Sequence, residues 1–142
     1  MQTFLPYPSF QASVATLDRQ RLGKQRVEVM QILKAMDMRF DAGWGSHVAT
    51  RMWRGYAPAL VQYGLEVCTE WCRRGYTDTC YEKIEAFGED GHFLTVSSGM
   101  PPWLGRDDVH TSHQSNLVRK DPDHYRQYFP NVPDDLEYVW PV

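Results

Sequence analysis

One stretch of the sequence places a single carboxylate among cations. Four polar side chains recur there at intervals of three and four residues, namely Arg21, Lys24, Glu28 and Gln31. This spacing puts them on one face of a helix. Because Lys24 precedes Glu28, the order is the weaker one for an i,i+4 ion pair, so helix stability explains the arrangement poorly. A solvated helix face accounts for the pattern, and so does a site that stabilises charge beside phosphates.

A second group of polar side chains begins with His110 and His113, and Asn116 follows three residues later. An HxxH pair can bind zinc, but zinc sites in proteins need three or four ligands. The sequence has no CxxC or HExxH partner and no Walker, GxGxxG or GxSxG motif, so we expect no metal and no cofactor. Together with Arg119 and Lys120, these residues suit hydrogen bonds to phosphates or base edges. An ordinary polar helix face is the alternative.

The charge is distributed unevenly along the chain. The formal net charge is −3, which taken alone argues against a non-specific nucleic-acid binder. Residues 1–54, however, hold eight cations and four acids, a local charge of +4, whereas residues 55–142 carry −7. A phosphate backbone responds to the local field and not to the total. Double-stranded DNA therefore remains a plausible partner for the first third of the chain.

Aromatic residues make up 13% of the sequence, and several adjoin basic residues. Such interleaving suits base stacking combined with phosphate contact. Most aromatic side chains must still pack in the core of so small a protein. Trp44 and Trp103 lie in Gly/Pro-containing loops, so they are the better candidates for exposed contacts.

The elements that must position these residues are predicted to be mainly helical. A length of 142 residues fits one domain, 1–142, which we expect to be a compact helical bundle with an extended N-terminal arm and C-terminal tail. Hydrophobic periodicity and capping residues predict helices over 18–38, 57–74, 77–87 and 107–120. Shorter helices are expected after Ser9 or Ser13, after Ser46 and after Asp121, and a short strand is expected at 93–96.

The sequence also predicts the cellular location of the protein. Its apolar runs are far shorter than the roughly 20 residues of a membrane span. Its N-terminus lacks the basic and apolar regions of a signal peptide. Three cysteines favour reduced thiols. We expect a monomer with no membrane partner, in the cytoplasm and associated with the nucleoid through DNA.

Four segments carry a resemblance to a known family. They are LGKQRVE (22–28), HVATRMWRGY (47–56), VCTEWCRRGY (67–76) and the block SHQSNLVRKDPDHYRQYFPNVPDDLEYVWP (112–141). On these segments the chain resembles the pyrimidine dimer DNA glycosylase family, the endonuclease V type first known from bacteriophage. It is most similar to a bacterial branch marked by LGKQRVE. The likeness spans nearly the whole chain.

The resemblance implies a catalytic pair in a compact helical protein that excises a damaged base and then nicks the abasic strand. One member is a glutamate on the first long helix, which corresponds to Glu28. The other is the α-amino group of the N-terminus, which attacks the sugar C1′ and forms a Schiff base. An α-amine suits this role because an ordinary pKa of roughly 7.7–8.0 leaves part of it neutral near pH 7.

The N-terminus departs from the phage pattern. The phage enzyme has a small Thr after Met, whereas position 2 here is Gln, which normally leaves Met1 in place. Three alternatives follow: the Met1 amine is the nucleophile, water is the nucleophile, or the glycosylase chemistry is lost.

We therefore expect a DNA glycosylase, with abasic-site lyase activity as a second step, acting on a damaged or modified pyrimidine in duplex DNA. The alternative is a non-catalytic, helical nucleic-acid-binding module, and a third option is an enzyme acting on a small molecule. The expected catalytic residues are Glu28 and Met1. The expected DNA-binding residues are Arg21, Lys24, Gln25, Arg26, His47, Arg51, Arg54, His110, His113, Asn116, Arg119, Lys120 and Arg126.

Overall fold

The computed structural model describes residues 1–41 and 43–142. Within these ranges the chain forms seven helices and no strand, which confirms the mainly α prediction. The helices are α1 Phe10–Thr16, α2 Arg19–Met36, α3 Val48–Trp53, α4 Ala57–Arg73, α5 Tyr81–Asp90, α6 Asp107–Lys120 and α7 Pro122–Tyr125. None of the helices in the described part of the chain is long and apolar enough to cross a membrane.

The longer helices lie close to where the sequence predicts them. Helix α2 begins one residue after Asp18, the residue expected to cap it. The Asp18 carboxylate accepts a hydrogen bond from the Arg21 side chain instead of from a backbone N–H group of the helix. Helix α4 has Pro58 in its first turn and ends before Gly75. Gly75 has φ 95°, a left-handed conformation that glycine adopts without steric cost.

Two local predictions are wrong. The third predicted helix begins at Tyr81 and not at Thr77, because the Asp78 carboxylate accepts the Tyr81 N–H at 2.8 Å and shapes a turn ahead of the helix. The strand expected at 93–96 does not form in the described part of the chain. Phe93 makes only an isolated antiparallel bridge with Asp37.

The core lies between α2 and α4, with the other helices packed around this pair. Gly64 on α4 allows the close approach, because a Cβ atom there would lie 2.7 Å from Val29 Cγ1 on α2. Trp103 belongs to this core: it is 3% exposed, and its indole N–H donates to the Met52 carbonyl at 2.9 Å. The expectation of an exposed Trp103 is therefore wrong, whereas Trp44 is 46% exposed as expected.

Candidate active site

A groove of about 420 Å³ lies where both ends of the chain meet α2. Its lining comes from five parts of the chain: the N-terminal arm (residues 1–8), α2, the start of α3, the end of α6 and the C-terminal tail (residues 131–142). The lining residues are Met1, Gln2, Phe4, Gln20, Arg21, Lys24, Gln25, Glu28, His47, Val48, Lys120, Tyr138 and Trp140. The groove thus brings together Met1 and Glu28, the two residues that the sequence singles out for catalysis.

The Glu28 carboxylate is 7% exposed and lies in this groove on α2. Its Oε2 accepts a hydrogen bond from Gln25 Nε2 at 2.7 Å. Its Oε1 lies 3.8 Å from the Lys24 ammonium nitrogen, and the Lys24 side chain is 73% exposed. The two carboxylate oxygens therefore have different partners, one neutral and buried and one charged and solvated.

The arm is held in the groove by side chains from α2, α3 and α4, which form hydrogen bonds with the arm. The Phe4 N–H donates to Gln25 Oε1 at 3.0 Å, and the Phe4 carbonyl lies 2.8 Å from the Tyr63 hydroxyl. Trp53 donates its indole N–H to the Thr3 hydroxyl at 2.9 Å. An extended segment has no internal hydrogen bonds of its own, so these contacts satisfy buried groups that would otherwise be costly.

The two histidines of α6 complete this attachment at Leu5. The Leu5 N–H donates to His113 Nδ1 at 2.9 Å, and His110 Nδ1 lies 2.7 Å from the Leu5 carbonyl. Gly105 donates its N–H to His110 Nε2 at 2.9 Å, so the proton of the neutral ring is on Nδ1 and points at Leu5. Burial lowers the pKa of His113 to about 3, with a smaller contribution from His110, which keeps His113 neutral. The sequence predicts that both rings contact DNA, whereas the structure places them in the interior, hydrogen-bonded to the arm.

The C-terminal tail is attached along another face of α6. The Asn116 side-chain amide donates to the Leu136 carbonyl at 3.1 Å, and Arg119 donates to the Asp134 carbonyl at 2.8 Å. Ser115 accepts the Leu136 N–H at 3.0 Å. Asn116 is 3% exposed and Arg119 is engaged by the tail. The structure therefore places these two residues, both predicted to contact DNA, where they hold the tail.

One wall of the groove is aromatic. The tail contributes Tyr138 and Trp140, whose ring centroids lie 5.4 Å apart, and His47 packs edge-on against Trp140 at 6.3 Å. His47 also contacts the half-exposed Trp44 ring at 5.7 Å. Burial lowers the pKa of His47, and so does the positive charge of the N-terminal ammonium group. Met1 and His47 line the same groove.

The groove is basic although the chain as a whole is acidic. Arg21, Lys24 and Lys120 line it, and among the described lining residues they face a single acidic side chain, Glu28. The charge of Arg21 is partly neutralised, because its guanidinium group also pairs with Asp18 at 3.1 Å. Two of the three cations, Arg21 and Lys24, come from the basic first third of the sequence, whereas Lys120 comes from the acidic remainder.

Four other predicted DNA-binding arginines lie outside the groove lining. Arg51 is exposed on α3, and Arg54 donates to the carbonyl of Gly45. Arg26 pairs with Asp78 at 2.7 Å and stacks on Trp71. Arg126 donates to three backbone carbonyls, those of Phe129, Pro130 and Val132. Arg26 and Arg126 are therefore engaged within the protein and lie outside the groove that holds Glu28.

Sequence reasoning missed Tyr138 and Trp140 as lining residues. It placed them in an extended tail packed by Val139 and Trp140. Residues i and i+2 of an extended segment point to the same side, so Tyr138 and Trp140 share a face, and this alternation was the available signal.

These features define a small helical protein with a buried carboxylate and a chain terminus in one basic groove. A family model described as pyrimidine dimer DNA glycosylase matches residues 1–83. The match covers more than half of the 142 residues, and the chain belongs to this family. The family description gives DNA glycosylase as the class of activity and hence DNA as the substrate class. No curated protein and no solved structure matches the chain significantly.

Proposed function

We propose that this protein excises a damaged or modified pyrimidine from duplex DNA and then cleaves the abasic strand as a lyase. One observation carries the proposal: the first residue of the chain and the buried carboxylate of Glu28 line the same groove. The family match supports the same class of reaction. The proposed catalytic residues are accordingly Met1, through its α-amino group, and Glu28.

The reaction follows from the chemistry of an amine beside a carboxylate. The neutral α-amine of Met1 attacks C1′ of the damaged nucleotide, forming a C1′–N bond as the bond from C1′ to the base breaks. The base leaves with a proton, and opening of the sugar ring gives an iminium ion, the Schiff base. Loss of a C2′ proton then eliminates the 3′-phosphate and nicks the strand.

Glu28 has two tasks in this scheme. Its negative charge stabilises the positive charge that develops on the sugar as the base departs. The same carboxylate accepts and returns protons during ring opening and elimination. Its burial excludes bulk water, which makes the stabilisation of developing charge stronger than it would be at the surface.

We propose that the DNA backbone is bound by the cations in and beside the groove. Arg21, Lys24 and Lys120 are placed to contact phosphates next to the reacting nucleotide. Arg51 and Arg54 extend this surface along α3, and His47 in the groove is placed to contact DNA as a neutral ring. Displacing a base from the stack costs a few kcal/mol and least at a damaged site, which itself favours lesions over intact DNA.

We further propose that residues 1–142 form one catalytic domain of the LGKQRVE branch. The family match ends at residue 83, yet Lys120, Tyr138 and Trp140 complete the groove. Within LGKQRVE, Leu22 is fully buried and Gln25 and Glu28 lie in the groove. The motif therefore combines core packing with the proposed site.

Borohydride trapping tests the proposal. Wild-type protein is incubated with duplexes that carry an abasic site or one of a panel of pyrimidine lesions, and covalent adducts and released bases are measured. We expect an adduct that disappears when the N-terminus is blocked, and N-terminal mass spectrometry identifies the residue that carries it. DNA binding with neither adduct nor base release would instead indicate the non-catalytic binding module.

The E28Q variant tests the carboxylate. We expect base release to fall by about 100-fold or more, since a neutral amide cannot stabilise the developing charge, while DNA affinity changes little. Glu66→Gln on α4, half-exposed and outside the groove, is the matched control. Base release by E28Q at the wild-type rate would refute the assignment.

A further inference from the structure

The side-chain amide of Gln25 lies at the junction of the arm and the carboxylate. Gln25 is 1% exposed and precedes Glu28 by three residues on α2. Its Nε2 donates to the Gln2 carbonyl at 2.8 Å and to Glu28 Oε2 at 2.7 Å. One nitrogen therefore joins the backbone of the second residue of the chain to the proposed catalytic carboxylate.

The oxygen of the same amide also lies within hydrogen-bond distance of groups in the protein. Gln25 Oε1 accepts from the Phe4 N–H at 3.0 Å and lies 2.8 Å from the Tyr63 hydroxyl. Burial raises the pKa of Tyr63 well above 10, and the charge of Glu28 adds to this, so the phenol stays a donor. Both donors of Gln25 are occupied and its oxygen accepts the Phe4 N–H, while the single Tyr63 hydroxyl proton lies within reach of both Gln25 Oε1 and the Phe4 carbonyl. The structure therefore places Gln25, one of the residues predicted to bind DNA, in hydrogen bonds within the protein.

No other natural side chain of this length can replace the amide without loss. A glutamate at position 25 has no N–H, so its carboxylate would face both Glu28 and the Gln2 carbonyl. A leucine would leave the Phe4 N–H and Glu28 Oε2 without these partners. A planar group with two donors and two acceptors is a primary amide.

We propose that Gln25 is a positioning residue that holds the N-terminal arm and the Glu28 carboxylate in fixed register for the reaction. This inference rests on the proposed function above. The neutral Gln25 donor fixes Oε2, and Oε1, whose partner Lys24 is 3.8 Å away and solvated, is the oxygen that serves the reacting sugar. Gln25 itself touches neither substrate nor reacting atoms.

Gln25→Leu and Gln25→Glu test the inference by kinetics. A misplacement of about 1 Å costs on the order of 100-fold in rate, so we expect kcat to fall by about that factor in both variants while KM changes little. In Q25E the two adjacent carboxylates cannot both ionise readily. At lower pH a shared proton restores a hydrogen bond between them. The ratio of Q25E to wild-type kcat should therefore rise as pH falls, whereas that of Q25L should stay constant.

Gln62→Glu is the matched control, since it makes the same change at an exposed position on α4 outside the groove. We expect wild-type kinetics at every pH. Equal losses for Q25E and Q25L with the same pH profile would indicate a merely structural role and overturn the inference.

A second measurement does not depend on activity. The ¹³C resonance of the Glu28 carboxyl is followed by NMR as a function of pH in wild type, Q25E and Q62E. We expect Glu28 in Q25E alone to titrate over a higher pH range than in wild type. Unchanged titration in Q25E overturns the inference even if the protein has no glycosylase activity. Absence of base release by wild type would refute only the proposed function.

Discussion

At the scale of single residues, the polar side chains that looked most like ligands hold the chain together. His113 accepts the Leu5 N–H, and His110 donates to the Leu5 carbonyl. This arrangement requires a neutral His113, because a doubly protonated ring has no acceptor nitrogen. The attachment of the arm therefore depends on the protonation state of a buried ring.

We predict that His113 makes a contribution to the pH dependence of stability, and that the H113Q variant lacks this contribution. Burial places the pKa of His113 at about 3 in the folded protein, against about 6.5 for an unfolded chain. The unfolded state therefore binds the extra proton first, and stability is lost as pH falls from about 6.5 towards 3. The expected contribution is up to about 1.4 kcal/mol per pH unit, measured by urea unfolding between pH 4 and 7.

His92 provides the control for this experiment because it is exposed. The H92Q variant should keep the pH dependence of wild type, whereas H113Q should show a shallower one. A slope for H113Q equal to that of wild type would contradict the role assigned to the ring.

At the scale of elements, α6 positions both ends of the chain. Its His110 and His113 hold the arm, while Ser115, Asn116 and Arg119 hold the tail. The groove is complete only when both attachments are made, since its walls come from the arm and the tail.

Ser115→Ala tests the tail attachment. Without the hydroxyl, the partly buried Leu136 N–H loses its 3.0 Å acceptor, and the net loss of one such hydrogen bond costs about 0.5–1.5 kcal/mol. We expect faster hydrogen exchange at the amides of Leu136 and Val139, with the Phe4 amide unchanged. Thr111→Ala on the same helix is the control. Exchange in S115A indistinguishable from that in T111A would rule out the proposed tether.

Gly64→Ala tests the packing of α2 against α4. A Cβ atom there would lie 2.7 Å from Val29 Cγ1 and 3.1 Å from Ile84, and such overpacking costs about 1–3 kcal/mol. Gly88→Ala is the matched helical control, since its Cβ would make ordinary 3.4 Å contacts with Val61 and gain up to about 1 kcal/mol of helix propensity. We expect Tm to fall for G64A and to hold or rise for G88A. A Tm for G64A at or above wild type would refute the close contact.

At the scale of the whole molecule, the sign of the total charge is a poor guide to DNA binding. The chain carries −3, yet the groove has three basic side chains against one acidic side chain among its described lining residues. Several arginines of the first third face elsewhere, Arg26 and Arg39 among them, because Asp78 and Asp37 neutralise them. The basic surface is thus small and local.

A small basic surface predicts a shallow salt dependence of DNA affinity. With about three to five phosphate contacts, the plot of log K against log salt should have a slope between about −3 and −5. Lys24→Ala should make it less steep by about 1, while Lys83→Ala on α5, outside the groove, should not. If the affinity for duplex DNA does not change with salt concentration, the proposed DNA-binding role of this surface is wrong and a small-molecule substrate is favoured.

The sequence by itself determined the longer helices, and its resemblance to a known family supplied the proposed reactive pair. Periodicity and capping residues are local signals, so α2, α4 and α6 could be predicted within a residue or two. The spacing around Glu28 placed it on a polar face, and the resemblance supplied its role and that of Met1. Single-residue features such as the start of α5 were less predictable, because Asp78 is directed by its contact with Arg26.

Only the tertiary structure decided which of the polar residues predicted to bind DNA are engaged within the protein. His110, His113, Gln25 and Arg26 have the residue types of a nucleic-acid interface, but their partners lie 21 to 108 positions away in sequence. A side chain that fills a long-range hydrogen bond is not available to a ligand, and no local pattern distinguishes it from one that is. The tertiary structure also brought both chain ends to one groove, because the extended arm has no internal hydrogen bonds and must take its partners from other helices.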